Sequence, residues 1–542
     1  MPLTRRRFLG GSFAGLSAPL WLPTRSNAAT PEFQPNWESL AHYVVPDWFR
    51  DAKFGIWAHW SAQCVPERGD WYARLMYLQG ESDYDYHVKT YGHPSRFGFM
   101  EIDNLWKAEA WEPEQLMALY RNAGAKYFMA LANHHDNFDA YDSKHHAWNS
   151  VNIGPKKDIV GTWAKAARNA GLRFGVSNHS AHAWHWFQTA YGYDGEGPMA
   201  GVRYDAAVLT RDDGKGTWWE GLDPKELYTG PHFKLPDGLH GIAAVNRWHE
   251  EHDRIWTEDP PPHNPEFVRK WSLRCQDLLE KYRPDMVYFD DSGLPLGRAG
   301  LDVTAWYYNA SRSWNGGKLD VVVTGKELTV QQRSAVVEDL ERGFSDALRP
   351  LPWQTDTCLG NWHYDRSLFE RHGYKSAGSV ITRLCDVVSK NGNLMLSVPI
   401  RGNGTIDSDE VAILEDLAAW MKINSEAIFG TRPWRTYGEG PTPVKAGMFG
   451  EKDAKPFTAQ DIRFTTRRGV LYALSLGWPD AATLTIKSLA AGVPGQVQRV
   501  EMLGTIQALP YRRDSRGLTI TLPQNRVGDY VYTFKISGDG LV

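Results

Sequence analysis

Pro113-Glu114-Gln115-Leu116-Met117-Ala118-Leu119-Tyr120-Arg121-Asn122-Ala123-Gly124-Ala125-Lys126-Tyr127-Phe128-Met129-Ala130-Leu131-Ala132-Asn133-His134-His135-Asp136 is the stretch that decides the fold. Residues 113–123 read as an amphipathic helix and 127–132 as a buried strand, and the strand runs directly into two histidines and an aspartate. Upstream, residues 54–60 read as another buried strand. Strand, helix, strand is the pattern of a parallel sheet, because parallel neighbours need a crossover and a helix supplies it.

The cycle continues with helix 159–169, strand 173–177, helix 266–282, strand 286–289, helix 303–311, strand 321–324, strand 394–398 and helix 408–422. Repeats of this kind predict an α/β catalytic domain, a (β/α)8-like TIM barrel whose active site lies where the carboxyl ends of the strands open into loops. Near 183–262 the cycle breaks into a long insertion rich in Gly, Pro, Trp and Asp, too long for a simple connection and expected to build loops around the mouth. After about Trp434 the texture changes to short alternating strands at 470–476, 483–486 and 518–522, separated by turn residues. These predict a C-terminal antiparallel β-sandwich. The expected organisation is a leader at 1–29, a catalytic barrel at 30–434 and a sandwich at 435–542.

Composition narrows the class. A chain of 542 residues exceeds what one hydrophobic core usually serves, in keeping with more than one domain. With 42% hydrophobic and 23% charged residues it is neither disordered, collagen-like nor a multi-span membrane protein. Sixty Lys and Arg against 64 Asp and Glu give a net charge of −4, the wrong sign for a nucleic-acid binder held by phosphate contacts. The 24 Trp, 24 Tyr and 21 Phe suit either stacking on sugar rings or a large aromatic core.

Thr4-Arg5-Arg6-Arg7-Phe8-Leu9 sets arginines before an apolar run over 8–22 that ends in the small residues Ser26-Asn27-Ala28-Ala29. This is the pattern of a twin-arginine export signal, with cleavage near Ala28 or Ala29, and the expected location is periplasmic or extracellular. The run is short and rich in Gly, Ser and Ala, so no stable membrane span is expected. Cys64, Cys275, Cys358 and Cys385 are too few and too scattered for a disulfide scaffold, and buried thiols are expected.

Candidate chemistry sits at the strand ends. Asp290 and Asp291 follow Met286-Val287-Tyr288-Phe289, so a buried strand delivers one or two carboxylates to the mouth. An arbitrary Asp is more often a helix cap or a loop ion pair, and its place at a strand end reverses that order. His59 and the pair His134-His135 end two other strands. One histidine would be unremarkable; three at equivalent ends form a set. There is no H-E-x-x-H and no zinc-like spacing, so sugar hydroxyls are a simpler partner than a metal.

Several blocks carry a resemblance. Trp48-Phe49-Arg50-Asp51-Ala52-Lys53-Phe54-Gly55-Ile56-Trp57-Ala58-His59-Trp60, then Gly69-Asp70-Trp71-Tyr72, His134-His135-Asp136, Gly154-Pro155-Lys156-Lys157-Asp158, Arg283-Pro284-Asp285, Pro352-Trp353-Gln354-Thr355-Asp356-Thr357 and Ser389-Lys390-Asn391-Gly392-Asn393-Leu394 resemble glycoside hydrolase family 29, the α-L-fucosidases, in order and as a set. The resemblance implies a retaining hydrolase with an Asp nucleophile at a strand end and a Glu acid/base on a later loop. Asp290 matches the nucleophile. Asp291 stands where the family commonly has Gly, which leaves an exchange of roles between the two aspartates open. Glu341 is the acid/base by this resemblance, with Glu338 next. His59, Asp70, Trp71, His134, His135 and Tyr288 are then expected to line the fucose pocket. Two departures bear on the glycone: Asp70 replaces a common Glu, and Ser177-Asn178-His179-Ser180 stands where many members carry tyrosines.

Elementary chemistry agrees. Glycosidic cleavage passes through a cationic transition state, so one carboxylate attacks while a second carboxyl protonates the leaving oxygen, and retention needs the two about 5 to 5.5 Å apart. No cofactor is required. The expected partner is a fucosylated oligosaccharide or polysaccharide. The rival expectations are a retaining enzyme for a related sugar such as an α-L-galactoside, and a catalytically silent carbohydrate-binding protein on the same barrel.

Overall fold

The computed structural model describes residues 32–254 and 265–542. The expected export signal lies outside the described residues, as does the end of the expected insertion. Eight strands, β1 Phe54–Ala58, β2 Tyr127–Asn133, β3 Arg173–Asn178, β4 Met286–Ser292, β5 Val322–Lys326, β6 Val337–Asp339, β7 Trp353–Cys358 and β8 Gly392–Ser397, close a barrel in chain order, every neighbouring pair parallel. Strands buried by side chains inside and helices outside should be buried along their length, and β1, β2, β5, β7 and β8 are. The outer layer includes helices Pro113–Asn122, Ile159–Asn169, Pro265–Tyr282, Arg298–Trp314, Ala377–Ser389 and Ser408–Asn424.

Two strands differ from the sequence expectation. β6 is three residues long and β7 reads Trp-Gln-Thr-Asp-Thr-Cys, so neither shows an apolar run. Their polar side chains are satisfied inside the barrel: Gln354 Nε2 donates to Asp339 at 2.5 Å and Tyr127 Oη donates to Gln354 Oε1 at 3.0 Å. Hydrophobic periodicity is blind to a strand whose buried groups hydrogen-bond one another.

Glycine sets one close approach that matters for the site. A Cβ at Gly325 would lie 2.5 Å from the carbonyl oxygen of Gly293, so only glycine fits there. The Gly293 amide in turn donates to the Lys326 carbonyl at 2.8 Å. The ends of β4 and β5 are thereby drawn together, and with them Asp290 and Lys326.

Between β3 and β4 the insertion forms short helices at Asp205–Val208 and Pro224–Leu227 and a longer one at Ile242–His252. It is tied to the loop after β1 by a buried ion pair, Arg74 Nη2 to Asp253 Oδ1 at 2.5 Å, and His249 Nδ1 donates to the same aspartate at 2.6 Å. Breaking such a buried pair from one side costs about 3–5 kcal/mol, so the insertion is a fixed wall beside Trp71.

After the barrel, β9 Arg432–Glu439, β10 Ile462–Arg467, β11 Val470–Ser475, β13 Gln496–Met502 and β16 Tyr532–Asp539 form one antiparallel sheet, and β12 Thr483–Ile486, β14 Tyr511–Asp514 and β15 Gly517–Thr521 form a second. Phe464, Leu471, Ile486, Ile520 and Phe534 belong to one buried cluster drawn from both sheets. The sandwich is joined to the barrel by Arg463 Nε on Asp386 at 2.6 Å and by Trp420 Nε1 donating to the Val531 carbonyl at 2.9 Å. All four cysteines are buried free thiols. Among the described residues no helix is long and apolar enough to cross a membrane.

Candidate active site

The carboxyl ends of the strands open into a cavity of about 600 Å³, within the range of small-molecule sites. It contains every residue expected from the sequence to bind or react: His59, Asp70, Trp71, His134, His135, Tyr288, Asp290 and Glu341. His59 follows β1, the His134-His135 pair follows β2, Tyr288 and Asp290 lie in β4, and Glu341 lies on the loop after β6.

Asp290 is the hub. His179 Nδ1 donates to its Oδ2 at 3.0 Å, His135 Nε2 approaches the same oxygen at 3.5 Å, and Lys326 Nζ donates to Oδ1. His182 Nε2 donates to the Asp290 carbonyl at 2.7 Å and fixes the backbone. Burial pushes the Asp290 carboxyl upward, but the Lys326 ammonium and then the His179 ring outweigh it and hold the group well below the usual carboxylate range. Burial likewise opposes the charge on Lys326, yet Asp290 and Glu341 hold it well above the usual lysine value.

Lys326 also donates to Glu341 Oε2. One ammonium thus bonds both carboxylates, so their nearest oxygens can be separated by at most about two hydrogen-bond lengths, roughly 6 Å. That separation suits a carboxylate pair spaced for retention, about 5 to 5.5 Å, and is short of the roughly 6.5–9.5 Å needed to admit an attacking water.

The histidines are neutral ligands for hydroxyls. Burial first, and neighbouring imidazoles second, push His59, His134 and His135 well below the usual histidine value, and burial brings His182 down to about 4. His135 Nδ1 donates to the His179 carbonyl at 3.1 Å, so the neutral ring turns Nε2 toward the cavity as an acceptor. One ring nitrogen from each of His134, His135 and His179 lies within 4.8 Å of the others. This is a wide set for an ion bound at about 2.0–2.1 Å, and the hydrogen bonds of His135 and His179 organise the trio around a carboxylate instead.

Asp70 does more than face the cavity. Its carboxylate accepts the backbone N–H groups of Trp362 at 3.2 Å and His363 at 2.8 Å, and so holds the loop that brings Trp362 to 4.8 Å from the His59 ring. The short side chain is engaged with backbone. Tyr288 Oη donates to Asp356 at 3.0 Å, and burial together with Glu341 pushes Asp356 up to about 7.

The alternatives left open by the sequence separate here. Glu338 is buried outside this cavity, with its carboxylate bonded to Arg333 at 2.9 Å and to Arg349. Asp291 also lines the cavity, because the β4–β5 pairing slips between Tyr288 and Ser292, but Lys326, His179 and His135 converge on the Asp290 carboxylate, and that singles out Asp290. Sequence reasoning assigned no role to Lys326, His179, His182, Asp356 or Trp362. Lys326 was findable: extending the strand at 321–324 by the inward period of two from Thr324 reaches it. Met448 and Phe449 arrive from the segment between β9 and β10, and no local signal ties that segment to the mouth.

A parallel barrel whose mouth holds two close carboxylates, one kept anionic, amid neutral imidazoles and indoles defines a glycoside hydrolase of the retaining type. Comparison with known proteins then fixes the family. The chain matches the family described as alpha-L-fucosidase over residues 20–426, and the alpha-L-fucosidase C-terminal domain over residues 455–537. It belongs to the α-L-fucosidase family. It is 26% identical to tissue alpha-L-fucosidase of Rattus norvegicus over 515 residues, covering 93% of this chain and 91% of that one. It is 24% identical to the Homo sapiens tissue enzyme over 524 residues, covering 93% and 92%. Among solved structures, Thermotoga maritima alpha-fucosidase in complex with fucose superposes with a TM-score of 0.66 at 25% identity, covering 93% of this chain and all of that one. The same enzyme with a mechanism-based inhibitor gives 0.67.

Proposed function

We propose that this chain hydrolyses terminal α-L-fucosyl residues from glycans by double displacement, with Asp290 as nucleophile and Glu341 as acid/base. The observation that carries the assignment is the single ammonium of Lys326 bonded to both carboxylates. In the first step Asp290 attacks the anomeric carbon while Glu341 gives its proton to the departing oxygen. In the second, Glu341 takes a proton from water as the water displaces Asp290, and the net configuration is retained. Lys326 and His179 keep the nucleophile ionised. His59, His134, His135, Asp70 and Trp71 hold the sugar: His134, whose Nδ1 accepts from Gln63 Nε2, turns its Nε2–H to a hydroxyl, His135 accepts from one, and Trp71 lies against an apolar face. A silent binding protein would have no need of two carboxylates poised in this way.

Turnover of a panel of 4-nitrophenyl glycosides tests the assignment. α-L-Fucoside is cleaved with release of the α-anomer, as read by NMR. Preference for α-L-galactoside, or release of the β-anomer, would overturn it.

The same proposal includes location. The arginine-led apolar run at the start of the chain supports export by the twin-arginine route to the periplasm or beyond, and four buried thiols fit a protein that folds in a reducing cytoplasm before export.

A further inference from the structure

A second and larger hollow, about 900 Å³, lies between the start of helix Ala377–Ser389, the segment 443–457 and the sandwich. It shares two wall residues, Met448 and Phe449, with the cavity that holds Asp290 and Glu341. Phe449 is therefore a ridge between the two.

Two features mark that ridge as a built surface. Phe449 is 58% exposed and lines both cavities, so its ring is open to a ligand at the mouth. Its backbone sits at φ 56°, the left-handed region, where a residue with a side chain is strained by roughly 1–2 kcal/mol. Such strain persists where the surroundings impose it and is concentrated at functional sites.

The surroundings do impose it. The Phe449 amide donates to the Glu341 carbonyl at 2.8 Å and the Glu451 amide donates to the Arg342 carbonyl at 3.0 Å. Phe344 and Gly447 exchange a pair of backbone hydrogen bonds, and the Glu451 carboxylate is held by Thr357 at 2.8 Å, Lys375 at 3.0 Å and Arg383 at 2.7 Å. The ridge is thus bonded directly to the backbone of the loop that carries the acid.

That position has a chemical meaning. An acid that protonates the leaving oxygen stands on the leaving-group side of the scissile bond, so the first sugar after fucose lies beside Glu341 and comes against Phe449. Beyond the ridge the hollow offers the rings of Phe457 and Tyr530 to the apolar faces of sugars, and the exposed Ser379, Lys445, Asp453 and Lys455 to their hydroxyl rims. We propose that Phe449 is the leaving-group platform and that the hollow behind it receives the remainder of a fucosylated oligosaccharide, making this enzyme selective for fucose on chains of at least three sugars. The proposal rests on the assignment of Glu341 as acid/base.

The experiment compares kcat/KM for α-L-fucosyl fluoride, a fucosyl disaccharide and a fucosylated tetrasaccharide in the wild type, Phe449→Ala, Phe449→Trp and Ser379→Trp. In the wild type the tetrasaccharide is preferred to the disaccharide. Phe449→Ala lowers the ratio of either oligosaccharide to the fluoride by about tenfold, through KM more than kcat, because fluoride has no ring to stack. Ser379→Trp fills the hollow and lowers the tetrasaccharide-to-disaccharide ratio by a similar factor, while Phe449→Trp restores the first ratio. Unchanged ratios in folded variants, with melting at the wild-type temperature, would overturn the platform and the hollow. Failure of the wild type to cleave even the fluoride would instead overturn the fucosidase assignment.

Discussion

Replacing Lys326 by methionine keeps the length of the stem and removes the charge that bonds Asp290 and Glu341. At an effective dielectric of about 20, a unit charge some 4 Å from another is worth about 4 kcal/mol, and about 1.4 kcal/mol is one pKa unit. The loss removes the strongest of the groups that hold Asp290 ionised and leaves the hydrogen bond from His179. The sign is upward, because burial, no longer opposed by the ammonium, disfavours the anion. Asp290 attacks only when ionised, so the acid limb of kcat/KM moves to higher pH. The wild type stays active well into the acid range, and the variant fades on approaching it.

Stability follows the same linkage. A carboxylate whose folded pKa is depressed contributes stability that is present above its unfolded pKa and lost as pH falls through the folded value. Lys326→Met therefore unfolds more easily at neutral pH, by about 3 kcal/mol for a buried pair broken from one side, and the difference from wild type shrinks as acid protonates both carboxyls. The assay is a pH–rate profile with an aryl α-L-fucoside, accompanied by urea unfolding at neutral and acid pH. An acid limb unmoved in a folded variant would refute the role given to Lys326.

Other outcomes follow from the same geometry. Glu341→Ala loses about 10²–10⁴-fold on a fucosyl disaccharide, retains far more on an activated aryl fucoside and flattens the basic side of the pH profile, since a nitrophenolate needs little protonation. Glu338→Ala, which leaves Arg333 and Arg349 without their shared carboxylate, shows no such leaving-group dependence and lowers stability by about 1–3 kcal/mol in denaturant unfolding. The reverse pattern would move the acid/base role to Glu338. Replacing Arg5 and Arg6 by Lys leaves the protein in the cytoplasm on fractionation; normal export of that variant would point to another route.

Much of the barrel was legible because apolar strands such as 127–132 end abruptly in His, Asp or Asn, and those endings mark the mouth. The same rule located His59, His134 and Asp290. It failed at β6 and β7, where Glu338, Asp339, Gln354 and Asp356 are buried but paired, so the hydrophobic pattern vanished where the polar interior of the site begins. It also failed for contacts made at long range. Lys326 and Asp290 are 36 positions apart and converge because Gly325 lets the end of β5 press on that of β4. Phe449 reaches the mouth through backbone hydrogen bonds to Glu341 and Arg342, and hydrogen bonds to backbone leave no mark on the sequence. Asp70 was read as a ligand of the sugar, and the structure adds its grip on the Trp362 and His363 amides, which depends on a loop folded back from nearly 300 residues away.

The central claim is that Asp290 attacks the anomeric carbon, and chemical rescue addresses it directly. Asp290→Gly is assayed with an activated aryl α-L-fucoside in the presence and absence of azide, and the product is read by NMR. The expected result is near-complete loss of turnover in a folded protein, partial recovery with azide, and formation of β-L-fucosyl azide, because azide enters from the face the carboxylate vacated. Undiminished turnover without azide, or an azide product of α configuration, would contradict the assignment of Asp290 as nucleophile.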